Sequence, residues 1–85
     1  MRETSMKIIY TEHAEEKIAE RNLSKTMIED SLIRPDEILE APFGRKIAQK
    51  LLNDKLLRIV YSIEDNTIII ITVYFAEPKR YGVKI

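Results

Sequence analysis

The spacing of apolar and polar positions changes along the chain, and each change marks an element. Lys7–Tyr10 is short, apolar and β-branched, which predicts a strand entering the domain. Thr11 then stands where a helix N-cap belongs. Glu12, Glu15 and Glu16 fall in the first turn and complement the helix dipole, while Ala14 and Ile18 supply an apolar face up to Asn22. Ser24 is a second N-cap, followed by Met27, Ile28, Ser31 and Leu32 at helical spacing, and Pro35 biases Arg34 out of the helical region. The two short helices form a hairpin joined around Asn22–Ser24.

Pro35–Pro42 reads as a turn-rich passage with a few extended residues at Ile38–Glu40. Phe43–Leu52 fits a helical and an alternating period about equally, because Ile47, Leu51 and Leu52 satisfy both. After a turn at Asn53–Asp54, Leu56–Ile63 alternates, with Leu57, Ile59, Tyr61 and Ile63 on one face and Arg58, Val60 and Ser62 on the other. Glu64–Asn66 turns the chain again, and Thr67–Ala76 is apolar throughout, as a central strand buried on both faces would be. The expected class is α+β: a strand, a two-helix hairpin, then a three-stranded antiparallel meander with the helices on one face. Residues 1–5 read as an extension outside this fold, leaving 6–85 as a single domain.

Composition narrows the chemistry. With 85 residues there is room for one small domain, and with two glycines there is no phosphate-cradling loop of the G-x-G-x-x-G or G-x-x-x-x-G-K-[ST] kind. The absence of cysteine excludes disulfides, thiolate metal sites and thiol nucleophiles. Glu12, Glu16 and Glu20 share a helical face, but no second helix offers matching ligands, so no metal site and no cofactor are expected. The polar start lacks a secretory apolar run and no segment is long enough to span a bilayer, so a cytoplasmic protein is expected.

The net charge is zero, yet the acidic side chains concentrate in residues 1–42 and the basic ones in 43–85. A local basic surface can hold an anion even when the whole chain is neutral. Its candidates are Arg45, Lys46, Lys50, Arg58, Lys79 and Arg80. Arg58 is the sharpest, because it interrupts the apolar run Leu56-Leu57-Arg58-Ile59-Val60-Tyr61; the competing explanation is an exposed sheet face kept soluble by arginines. Tyr74 and Tyr81 are candidates for stacking on a base or exchanging a proton, Tyr74 being the more natural packing residue. His13, the only histidine, aligns with Lys17 and Arg21 along one side of the first helix; it suits proton transfer near neutrality or a plain capping role.

These segments together carry a resemblance. Tyr10-Thr11-Glu12-His13-Ala14, Glu20-Arg21-Asn22-Leu23-Ser24, Arg34-Pro35-Asp36-Glu37-Ile38, Gly44-Arg45-Lys46-Ile47-Ala48-Gln49-Lys50, Leu57-Arg58-Ile59-Val60-Tyr61, Ile71-Thr72-Val73-Tyr74 and Lys79-Arg80-Tyr81 resemble a group of small prokaryotic proteins of unknown function. That group looks related to the RelE/ParE toxin superfamily.

The resemblance implies helices packed on one side of a curved antiparallel sheet, with Phe43–Leu52 as a strand. It also implies a metal-independent endoribonuclease acting on mRNA, on the ribosome in many such toxins, and neutralised by an antitoxin protein. By similarity, Arg58 matches the strand arginine at the scissile phosphate. Tyr81 and Arg80 match the C-terminal catalytic positions, with His13 in reserve as a proton carrier. Arg45, Lys46, Lys50, Lys79 and Arg21 are then expected to contact RNA. The alternative expectation is a non-catalytic module of the same fold that binds nucleic acid or protein, as a monomer or a homodimer.

Overall fold

In the computed structural model, residues 6–78 are described. They form β1 (Lys7–Tyr10), α1 (Glu12–Arg21), α2 (Lys25–Ile33), β2 (Glu37–Ala41), a single 3₁₀ turn (Pro42–Gly44), β3 (Arg45–Leu52), β4 (Lys55–Glu64) and β5 (Thr67–Ala76). The sheet has five strands in the order β1-β5-β4-β3-β2. β2 to β5 run as an antiparallel meander, and β1 closes the far edge parallel to β5, with Lys7 opposite Thr67 and Tyr10 opposite Ile70.

The α+β class stands, but the expected three-stranded meander is corrected to four strands. The added member is β2, in the passage read as turn-rich, and it contains the few extended residues expected at Ile38–Glu40. It forms because the chain after Pro35 is tied to β3 rather than because of its own propensity. Asp36 donates its backbone N–H to the Gln49 carbonyl at 2.9 Å, and its Oδ2 accepts from the Leu51 N–H at 2.7 Å. Phe43–Leu52 resolves as a strand from Arg45 onward, with Phe43 in the preceding turn.

Both helices start at the predicted caps. Thr11 Oγ1 accepts from the Ala14 N–H at 3.1 Å, and Ser24 Oγ from the Met27 N–H at 3.0 Å. Thr11 also donates its hydroxyl to the Ile71 carbonyl at 3.0 Å, so one side chain caps α1 and anchors it to β5. α1 ends on Asn22 in the left-handed region, φ 55°, a conformation asparagine tolerates. The helices bury Ala14, Ile18 and Ile28 against Ala48 of β3, Leu57, Ile59 and Tyr61 of β4, and Ile70 and Val73 of β5. This is the single core cluster of the described residues, and it lies wholly between helices and sheet.

Ile70 and Val73 face the same way although they are three apart, which strict alternation forbids. The register between β4 and β5 shifts at Val60/Tyr61: Val60 faces Thr72, while Tyr61 faces Ile70. This bulge inserts Ile71 and re-aims the second half of β5. In consequence Thr72 and Tyr74 stand on the face that carries Arg58, away from the helices.

Candidate functional site

Arg58 lies at the middle of β4, and the register builds a row through it. Glu37 on β2 faces Gln49 on β3, Gln49 faces Arg58, and Arg58 faces Tyr74 on β5. Four polar side chains therefore cross four strands on the helix-free face. The rows on either side are apolar: Leu39, Ile47 and Val60 with Thr72 on one side, Leu51, Leu56 and Ala76 on the other. A polar stripe between apolar rows is a built feature of the sheet.

Within the row, Gln49 Nε2 donates to Glu37 Oε1 at 3.0 Å. A carboxylate can only accept, so this bond fixes the amide and turns Gln49 Oε1 away from Glu37. That oxygen is buried and meets no donor among the described residues. The Arg58 guanidinium carbon lies 5.7 Å from the Tyr74 ring centroid, within cation–π range. Arg58 is only 6% exposed and Gln49 2%, whereas Glu37 is exposed and Tyr74 half-buried. A guanidinium so far removed from water does not solubilise a surface, and that explanation of Arg58 is set aside. Beside it the row offers the Tyr74 phenol on β5, while the Glu37 carboxylate lies two strands away, beyond Gln49.

The other basic candidates do not converge there. Lys46 and Lys50 share the parity of Ala48 and point to the helix side of β3. Lys46 Nζ pairs with Glu40 Oε2 at 2.8 Å, which raises its pKa, and Lys50 Nζ donates to the Arg34 carbonyl at 2.8 Å. Both therefore stand on the opposite face of the sheet from Arg58, because one strand cannot present consecutive parities to one face. Arg45 is exposed and has the parity of Arg58, four residues before Gln49, about 13 Å along the strand.

Arg21 ends α1 and borders a shallow hollow with Lys55, Phe75 and Glu77 on the helix side. His13 is exposed on α1, with the sheet between it and Arg58, so it does not join the row; the cap it was weighed for belongs to Thr11. Lys79, Arg80 and Tyr81 lie outside the described residues.

Sequence reasoning passed over Gln49, Glu37 and Phe43. Gln49 had a legible signal, a lone amide inside Ile47-Ala48-Gln49-Lys50-Leu51; Glu37 had none until β2 was known. Phe43 sits in the β2–β3 turn with φ 63° and ψ 34°, 91% exposed. Beside it opens a groove of about 420 Å³ lined by Phe43, Arg45, Ser62, Glu64, Ile69 and Ile71 among others.

Among the described residues no group of three or more acidic, histidine or cysteine side chains is placed to hold a metal ion, and no helix is long and apolar enough to cross a membrane.

The architecture defines a small α+β domain whose sheet has one face covered by two helices and the other crossed by a polar row. The chain belongs to the DUF4258 family, a domain of unknown function, whose model matches residues 10–75 and so spans both helices and the whole row. No curated protein and no solved structure matches it.

Proposed function

We propose that this protein is a RelE-like endoribonuclease that cuts single-stranded RNA without a metal ion, with Arg58 holding the scissile phosphate. The observation that carries the reading is the placement of Arg58 at the centre of the helix-free face, between Gln49 and Tyr74 in a row flanked by apolar rows. The resemblance of the strand Leu57-Arg58-Ile59-Val60-Tyr61 to that of the toxins supports it. In such a reaction a base takes the proton of the ribose 2′-hydroxyl, whose oxygen attacks phosphorus. The 5′-oxygen leaves and receives a proton, and a 2′,3′-cyclic phosphate remains. Arg58 neutralises the charge that gathers on the non-bridging oxygens, most effectively where water is scarce. Tyr74, opposite Arg58 on β5, is the proton-exchanging group nearest to it within the row. Tyr81 and Arg80 are the corresponding groups by resemblance, and a neutralising antitoxin is the partner such an activity calls for.

A second reading, a domain of the same fold that retains RNA without cutting it, is favoured by the near-complete burial of Arg58. A programmed translation extract separates the two. Mapped mRNA cuts that persist with chelator and vanish in Arg58→Ala are the expected result. Salt-sensitive retention of RNA with no cut, ribosomes being present, overturns the nuclease and leaves the binding domain.

A further inference from the structure

The β2–β3 turn holds Phe43 in a conformation that costs a bulky side chain energy and leaves its ring 91% exposed. Nothing in the turn requires phenylalanine. Glycine or asparagine takes φ 63° with less strain, and Gly44, the next residue, already has φ +72°. Both the backbone and the exposure of Phe43 are unfavourable for folding, and neither is offset by packing. A strained residue that presents an unsatisfied aromatic face points to a ligand.

The surroundings say which ligand. Phe43 stands at the mouth of the groove of about 420 Å³, with the exposed Arg45 guanidinium two residues on, in the same lining. Ile69 and Ile71 line an apolar part, and Ser62 and Glu64 supply polar groups. A flat aromatic face, an adjacent cation for a phosphate, and an acceptor for an amino group are the parts that hold an unpaired base. Arg45 also shares the sheet face of Arg58, about 13 Å away along the strands.

We propose that this groove is a base-stacking subsite, in which Phe43 stacks on an unpaired RNA base, Arg45 contacts the neighbouring phosphate and Glu64 accepts from the base's amino group. The subsite rests on the proposed RNA-directed function and adds to it a ligand position remote from Arg58. It selects for single strands, because a paired base has no free face to offer.

Binding of a fluorescent oligoadenylate, and of an abasic strand of the same length, is measured for the whole chain and for Phe43→Asn, Phe43→Trp and Arg45→Ala, with thermal unfolding of each. Phe43→Asn is expected to unfold at the same or a higher temperature while losing about tenfold or more in affinity for oligoadenylate. Phe43→Trp retains affinity, Arg45→Ala lowers the salt dependence, and the abasic strand binds the wild type and Phe43→Asn alike. Wild-type binding of oligoadenylate with no loss in Phe43→Asn overturns the subsite alone. Absence of RNA binding in the wild type overturns the RNA-directed function together with it. A fall in stability of Phe43→Asn, with affinity unchanged, makes Phe43 a structural residue of the turn.

Discussion

Arg58 and Tyr74 stand opposite each other on neighbouring strands, the guanidinium carbon 5.7 Å from the ring centroid, and the bulge at Ile71 makes that meeting possible. An arginine stacked on a ring has its fork oriented before any ligand arrives, which lowers the ordering cost of binding an anion.

Replacement of Arg58 by Lys retains the charge and removes both the fork and the stack. Cleavage of mRNA in the extract is expected to fall by about 10²–10³-fold in Arg58→Lys, the range found when a donor to a transition-state oxyanion is removed. Circular dichroism and thermal unfolding report whether the fold survives each change.

Tyr74→Phe leaves the ring beneath the guanidinium and takes away only the hydroxyl. Unfolding temperature is expected to stay within a few degrees of wild type. Loss of cleavage at that unchanged stability assigns the phenol a part in proton exchange, whereas Tyr74→Leu is expected to lower stability by about 0.5–1 kcal/mol through the lost cation–π contact.

Gln49 carries a buried acceptor without a donor among the described residues, an arrangement that costs stability. Gln49→Met keeps the length of the side chain and removes both polar atoms, and the exposed Glu37 is then solvated by water. Thermal unfolding is expected at the same or a higher temperature, by about 1 kcal/mol of stability, while any activity that uses the row declines.

Thr11→Ala removes two interactions at once, the cap of α1 and its anchor to the Ile71 carbonyl. A cost of about 2 kcal/mol is expected, against less than half of that for Thr11→Ser, which retains the hydroxyl. Denaturant titration of the three proteins checks it.

Alkaline pH tests the seam between β1 and α2. Burial first, then the hydrogen bond to and the charge of Glu29, raise the Tyr10 hydroxyl well above its ordinary pKa of 10.0, and burial raises Tyr61 as well. The unfolded chain loses these protons from about pH 10 while the folded chain keeps them. Their contribution is therefore complete below pH 10 and declines as pH rises toward the folded values. Unfolding temperature is expected to fall as pH rises above about 10 and to fall less in Tyr10→Phe.

Residues with one dominant local preference were legible in the sequence. Thr11 and Ser24 capped where capping chemistry put them, and Leu57, Ile59 and Tyr61 alternated onto the core face because Arg58 and Ser62 mark the opposite one. β2 was legible only as a few extended residues at Ile38–Glu40, because Asp36 and its bonds to β3, a tertiary cause, make it a full strand of the sheet. The bulge at Ile71 was illegible because Thr67–Ala76 is apolar at nearly every position, and a uniform run carries no parity to break. Of the candidate site, Arg58 announced itself as a charge in an apolar strand. Its neighbours in the row are defined by register, which a single strand's sequence does not contain.

β1 has one partner in the sheet, β5, and the residues they pair lie sixty positions apart in the chain. Docking of β1 closes a longer loop than any pairing within the meander. Until it docks, the most apolar strand of the protein presents a bare edge of backbone donors and acceptors to any other chain. β1 therefore covers that edge while packing Ile8 and Tyr10 against the core, so its four residues guard the folded protein against strand-to-strand aggregation.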